Sequence, residues 1–251
     1  MTEPQTKKSD LGVRVVSAVA MIAVGAAALW FGGWWWRVFV ICISGGVFWE
    51  WMRLARRIAK RATVLIVWML VGGAYISTSA VYLALLGGNL STSDHWSRFI
   101  LLGILALVIG TDIGAYFVGR TLGGPKIAPS ISPSKTWSGL IGGIIGASAL
   151  FWILCYATAA GKWLNLPGFA VAGLFSNGRE AIAPSLVVGL VAAVLAQTGD
   201  FFESWMKRKA GVKDSSHLLP GHGGLFDRTD GLLAVTFAYA LTGFIPSAWV
   251  G

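Results

Sequence analysis

Ionisable side chains are concentrated in one stretch of this 251-residue chain, between residues 200 and 230. Five of the eleven acidic residues, five of the twenty basic residues and two of the three histidines lie there. Carboxylates from two segments can hold a hard divalent cation through oxygen, with Mg²⁺ as the preferred ion. Basic side chains and the N–H groups of a glycine-rich loop can hold phosphate oxygens. These residue types predict phosphoryl-type transfer, which requires in-line positioning and neutralisation of negative charge.

The order of these residues indicates how they are positioned. Asp200, Ser204, Lys207 and Arg208 recur at helical spacing, so they share one face at the end of an apolar helix. The chain then passes through a Pro-Gly-His-Gly-Gly loop and returns into another apolar stretch. The alternative is a solvated loop that only fixes the topology. That alternative would explain the lysines and arginines but not carboxylates within reach of an apolar span.

The elements that carry these residues are predicted to be transmembrane helices. Hydrophobic residues make up 55% of the chain and charged residues only 12%, too few to coat a soluble domain. The apolar residues form long blocks, which disfavours a transmembrane β-barrel. A helical span needs about 20 such residues. We predict an all-α polytopic membrane protein with about seven spans, eight being the alternative, at 11–32, 34–55, 63–86, 98–119, 136–160, 181–203 and 229–250.

The whole chain, 1–251, is predicted to form one membrane domain with its N-terminus in the cytoplasm. A short cytoplasmic tail (1–10) precedes N-terminal spans (11–97), central spans (98–180) and C-terminal spans (181–251) that include residues 200–230. With seven spans, 16 of the 20 basic residues lie on the cytoplasmic side, which is a strong positive-inside bias. The basic residues are spread over four loops, so nucleic-acid binding is not expected. The tryptophans lie mostly near span ends, where interfacial anchoring is expected.

At the charged stretch the chain resembles the phosphatidate cytidylyltransferases, also called CDP-diacylglycerol synthases. Four blocks carry the likeness in order: Ser204-Trp205-Met206-Lys207-Arg208, Lys213-Asp214, Pro220-Gly221-His222-Gly223-Gly224 and Asp227-Arg228-Thr229-Asp230. A central segment, residues 112–137, is also similar to the family. It contains Asp112-Ile113-Gly114-Ala115-Tyr116-Phe117-Val118-Gly119-Arg120 and Ile131-Ser132-Pro133-Ser134-Lys135-Thr136-Trp137.

The resemblance implies an enzyme that converts CTP and phosphatidate into CDP-diacylglycerol and pyrophosphate. It also implies a homodimer in a bacterial-type inner membrane, with the active site on the cytoplasmic face. The cofactor would be Mg²⁺, and a second cation is an open alternative. Another lipid phosphate or a polyprenol as acceptor, or a transporter function, remain the alternative interpretations.

Each polar residue of these motifs receives a predicted role. The metal ligands are Asp200 and Asp227. The catalytic set is Asp200, Lys207, Asp214, His222, Asp227 and Arg228. The substrate-binding set is Ser204, Arg208, Lys213, Gly223, Gly224, Asp230, Ser132, Lys135, Asp112 and Arg120. We expect Asp112 to pair with Arg120 or to contact the site, and Glu50 to pair with Arg53.

Overall fold

The computed structural model describes residues 8–87, 95–159 and 181–242 of the chain. Seven helices account for most of this part. They are α1 (Lys8–Phe31), α2 (Gly33–Ile58), α3 (Ala62–Leu86), α4 (His95–Leu122), α5 (Trp137–Ala159), α6 (Ile182–Lys209) and α7 (Phe226–Leu241).

Helices α1 to α6 are each long and apolar enough to cross a membrane. They match the first six predicted spans, except that several helices extend beyond the apolar window; α1, for example, begins at Lys8, within the predicted tail. The seventh predicted span overlaps α7, but residues 243–251 lie outside the described part, as do residues 1–7, 88–94 and 160–180. A helical membrane protein is therefore confirmed, while the number of seven spans stays a prediction.

A short β-hairpin, which the sequence pattern did not predict, lies between α4 and α5. Strand β1 (Lys126–Ala128) pairs antiparallel with β2 (Ser132–Thr136). The predicted site residues Ser132 and Lys135 lie on β2. The hairpin holds them in fixed register, where a loop had been expected.

Glycines allow α4 and α5 to meet through their backbones. A Cβ added at Gly110 would lie 2.5 Å from the Gly146 carbonyl oxygen, and one at Gly142 would lie 2.5 Å from the Gly114 carbonyl oxygen. Small residues four apart on both helices permit this close approach within a bilayer. The two helices and the hairpin between them therefore form one tightly packed unit.

An aromatic core joins α2, α6 and α7 beneath the charged stretch. Trp51 is 1% exposed and packs against Phe202 and Phe226, with ring centroids 5.6 and 5.7 Å apart. Its indole Nε1 donates to the Trp68 carbonyl oxygen at 2.9 Å. The expectation of interfacial anchoring was wrong for Trp51 and for the buried Trp36, although it suits exposed rings such as Trp34. Trp51 packs in the core because α3, α6 and α7 cover it.

Candidate active site

Asp227 is the centre of a partly buried polar cluster. Lys207 donates from Nζ to Asp227 Oδ1 at 2.6 Å and forms an ion pair with Glu203 at 2.5 Å. Asp227 Oδ2 accepts bonds from the Ser215 N–H at 3.1 Å, the Ser215 hydroxyl at 2.9 Å and the Gly224 N–H at 2.8 Å. The cluster thus ties the end of α6 to the start of α7 and to the loop between them.

The pKa of Asp227 lies below its usual value. Burial alone would raise it, but the hydrogen bonds from Lys207 and the Gly224 N–H, together with the positive charge of Lys207, help to outweigh the burial effect and lower it. Asp227 is therefore ionised at neutral pH.

Glu50 reaches from α2 to the N-terminus of α7. Its side chain is fully buried and accepts bonds from the backbone N–H of Leu225 at 3.0 Å and of Phe226 at 2.7 Å. It also accepts from the Ser216 hydroxyl and, at 2.9 Å, from the Ser215 hydroxyl, which shares its one proton between Glu50 and Asp227. The expected pairing with Arg53 was wrong. Free N–H groups at a helix start attract a carboxylate more strongly than a solvated arginine does.

The glycine loop has a backbone that requires glycine at two places. Gly221 and Gly223 adopt φ angles of 74° and 84°, which side chains with a Cβ rarely adopt. The Leu219 N–H donates to the Gly223 carbonyl at 2.9 Å, which closes the loop. Arg228 donates from Nε and Nη2 to the His222 carbonyl at 3.1 and 2.9 Å. The loop is therefore stabilised by a backbone hydrogen bond within it and by the Arg228 side chain that follows it.

Helix α1 also contacts this loop. The Ser17 hydroxyl lies 2.7 Å from His222 Nδ1 and donates to the Pro220 carbonyl at 2.9 Å. A Cβ at Gly221 would meet the Arg14 side chain at 2.7 Å. The first helix is thus part of the surroundings of the site.

Lys135 and Asp200 form a second charged centre beside the first. Lys135 makes an ion pair with Asp200 Oδ2, and the Ser204 hydroxyl lies 3.5 Å from Asp200 Oδ1. Both charged residues line a cavity of about 580 Å³ between α4, α5, α6 and the hairpin. Other polar groups on its wall are Asp112, Tyr116, Arg120, Lys126, Ser134, Thr136 and Gln197. The cavity is large enough for part of a small charged ligand.

Most of the predicted residues fall into two groups in the structure. Asp227, Lys207 and Gly224 meet in the first cluster, with Gly223 beside it, while Asp200, Ser204, Lys135 and Asp112 meet at the polar cavity. Asp230 is close enough to Asp200 and Asp112 to interact with both. Arg208 donates to the Ile131 carbonyl at 3.4 Å and so contacts the hairpin that carries Ser132. Lys213 and Asp214 are exposed in the α6–α7 loop.

Arg120 does not pair with Asp112. Its guanidinium donates to the Tyr116 hydroxyl at 2.7 Å, one turn earlier on α4. The other expectation for Asp112, contact with the site, agrees with its place on the cavity wall. Two helical turns separate residues 112 and 120, about 12 Å along the axis, and this spacing favours the nearer phenol for Arg120.

Several residues of the site were not predicted. Glu203, Ser215, Ser216 and Ser17 received no role, although each contacts a predicted site residue or Glu50. Glu203 lies four residues before Lys207, a spacing at which a helical ion pair could have been expected. Nothing in the local sequence indicated the contact of Ser17.

The carboxylates of the site have the chemistry that Mg²⁺ requires. Oxygen ligands are preferred by this hard cation, and both Asp200 and Asp227 supply them. Lys135 neutralises Asp200 and Lys207 neutralises Asp227. A bound cation would take the place of these lysine charges. Within the described residues, no three His, Cys, Asp or Glu side chains are arranged as a metal site. The donor type therefore fits, and the lysines would exchange partners when a cation binds.

Comparison with known proteins identifies the family. The family model of the cytidylyltransferase family matches residues 12–97 and 74–245. A Brucella suis protein named phosphatidate cytidylyltransferase is 32% identical over 94% of this chain and 94% of its own length. A Rickettsia bellii protein of that name is 30% identical over 90% of this chain and 88% of its own.

A Haemophilus influenzae protein with the same name is 40% identical over 56% of this chain and 45% of its own length. The family match extends beyond the charged stretch and takes in the helices that surround both clusters. The chain belongs to the cytidylyltransferase family.

Proposed function

We propose that this protein is a CTP:phosphatidate cytidylyltransferase that makes CDP-diacylglycerol and pyrophosphate for phospholipid synthesis. The observation that carries the proposal is the Asp227 cluster, in which α2, α6, α7 and the loop before α7 converge on one ionised carboxylate. The family membership, with relatives that bear this name over nearly their whole length, supports the same reaction.

In the proposed reaction an oxygen of the phosphatidate phosphate attacks the α-phosphorus of CTP. A new P–O bond forms there, and the bond between the α-phosphorus and the oxygen bridging to the β-phosphate breaks. The electron pair leaves with pyrophosphate, so the balance needs no other reactant. The attacking phosphate is already an anion near neutral pH, and little help from a base is needed.

The basic residues neutralise the phosphates in this proposal. Lys207, Arg208, Lys213 and Arg228 hold oxygens of the triphosphate and of phosphatidate. The N–H group of Gly223 provides a further donor, while that of Gly224 orients Asp227. His222 donates to a phosphate or carries a proton. Asp214 and Asp230 hold the basic residues in place.

On the polar cavity wall, Lys135, Arg120, Ser132, Ser204 and Asp112 form the second part of the proposed binding site. Mg²⁺ held by Asp200 and Asp227 would neutralise charge on the departing pyrophosphate. A second cation is compatible with the number of carboxylates near Asp200.

The proposed site faces the cytoplasm of a bacterial-type inner membrane. The contacts between β2, α6 and the α6–α7 loop gather the basic ends of several helices on one side of the molecule. The positive-inside rule assigns that side to the cytoplasm, with the N-terminus also inside and seven spans in total. CTP would enter from the cytoplasm and phosphatidate from the leaflet. The resemblance to the family further suggests a homodimer.

The first experiment measures transfer of label from radioactive CTP to lipid by protein purified in detergent with phosphatidate and Mg²⁺. We expect wild type to make a labelled lipid, and Asp227→Asn to lower kcat by about 100-fold or more, because it removes the charge that holds Lys207. The matched control is His217→Asn, an exposed residue of the same loop that has no assigned role.

The outcomes separate two parts of the proposal. Labelled lipid from both wild type and Asp227→Asn would preserve the reaction but contradict the role of Asp227. No labelled lipid from the wild type, with CTP still consumed when another lipid phosphate is added, would change the substrate. No reaction with any lipid phosphate would overturn the proposal.

A further inference from the structure

A second cavity, of about 400 Å³, lies beside the glycine loop, between α1, α2 and α7. Its wall is almost entirely apolar and includes Met21, Val24, Phe39, Val40 and Leu232. The polar side chains on it are Ser44, Arg228 and Thr229. A pocket of this volume and character suits a hydrocarbon ligand with a polar end.

The length of the cavity matches that of one acyl chain. Along α2 its wall extends from Val47 to Trp36, which is roughly 16 Å at about 1.5 Å per residue. Leu225, which also lines it, packs against Gly46, so the end at Val47 is the one near the start of α7. Half of a hydrocarbon core of about 30 Å is about 15 Å, the depth that one acyl chain fills.

Arg228 lies where this apolar cavity meets the Asp227 cluster. It lines the cavity, donates to the His222 carbonyl, and follows Asp227 directly in the chain. A lipid whose phosphate met Arg228 could place an acyl chain in the apolar cavity and its phosphate beside the Asp227 cluster.

We propose that the cavity between α1, α2 and α7 binds an acyl chain of the phosphatidate substrate, with the lipid phosphate at Arg228. This inference rests on the proposed function. It assigns the two substrates to different cavities, the nucleotide to the polar cavity and the lipid tail to the apolar one.

Helix α1 is the wall through which the lipid would enter from the bilayer. From Gly12 to Phe31 only Ala28 is buried, so α1 packs loosely against the rest of the bundle. Ala20, Met21 and Val24 are its cavity-lining residues. A small outward movement of α1 would open the cavity sideways to the membrane.

Variants that fill the cavity test the proposal, because they should impair the reaction of phosphatidate with long acyl chains more than that of phosphatidate with short ones. Ala20→Trp fills the cavity from α1 and Ser44→Phe fills it from α2. For both, we expect kcat/KM with dioleoyl phosphatidate to fall by about tenfold or more, since a full-length chain no longer fits. With dihexanoyl phosphatidate kcat/KM should stay within about twofold of wild type. The matched controls, Ala26→Trp and Cys42→Phe, place the same side chains on exposed positions outside the cavity.

Photocrosslinking measures whether a lipid occupies the cavity and does not require enzyme activity. Phosphatidate with a diazirine at the end of one acyl chain should label residues of α1 and α2 that line the cavity, and Ala20→Trp should remove that label. Unchanged labelling in both filled variants, or equal loss of activity with both chain lengths, would overturn the inference. Equally strong labelling by a phosphatidylcholine probe would identify a structural lipid and also overturn it. If wild type forms no CDP-lipid but the phosphatidate label appears selectively, the proposed reaction fails while the lipid site stands.

Discussion

Glu50 joins α2 to the loop before α7 and to the start of α7. Its carboxylate accepts four hydrogen bonds, two of them from the backbone at the start of α7. An amide in its place would turn one acceptor into a donor that faces N–H or O–H groups. A buried hydrogen bond to a charged group contributes about 1.5–3 kcal/mol, and a loss of that size would loosen the start of α7.

We therefore predict that Glu50→Gln lowers the free energy of unfolding by about 1.5–3 kcal/mol and also reduces activity. Thermal unfolding in detergent beside the CTP assay measures both. Ser216→Ala removes one donor but leaves both backbone bonds, so its effect should be smaller. A Glu50→Gln protein with wild-type stability would contradict the capping role.

At the scale of the elements, α4 and α5 meet through their backbones and together form part of the wall of the polar cavity. A Cβ at Gly110 would lie 2.5 Å from the Gly146 carbonyl oxygen, so the helices would have to separate. We predict that Gly110→Ala destabilises the protein by about 1–3 kcal/mol, the usual cost of overpacking. The melting temperature in detergent measures this change.

Gly45→Ala is the matched control for that prediction. It also lies within a transmembrane helix, α2, but no atom lies within 4 Å of the added Cβ. This change should be neutral or stabilising by up to about 1 kcal/mol, because alanine is the better helix former. Equal effects of the two substitutions would mean that helix propensity, and not the α4–α5 contact, determines the result.

At the scale of the whole molecule, a labelling experiment can test the predicted orientation of the protein in the membrane. In a background with Cys42 and Cys155 replaced by serine, single cysteines at residue 60 and residue 31 should lie on opposite faces. A membrane-impermeant maleimide added to intact cells with a permeabilised outer membrane should label Phe31→Cys and not Lys60→Cys. Disrupted membranes should label both. Labelling of residue 60 in intact cells would reverse the proposed orientation.

Features that depend on neighbouring residues could be predicted from the sequence, whereas contacts between residues far apart in the chain could not. The apolar blocks and the residues from Asp200 to Asp230 were predictable because helical period and loop chemistry are local. The bonds of Glu50 with Ser215 and of Ser17 with His222 join residues 165 and 205 positions apart, which no local pattern reports. The hairpin was missed because β1 has only three residues and lies between two apolar helices.

The bonds of Glu50 also have a consequence for the order in which the chain is made. Residue 50 is synthesised and inserted with α2 long before its partners at 215–226 exist. During that interval its carboxylate has none of these donors, and an unpaired charge in an apolar surrounding is costly. We expect the cytoplasmic end of α2 to remain hydrated until the last helix arrives. Assembly of the site would then be the closing step of biogenesis, and a nascent chain released before residue 226 would carry no active site.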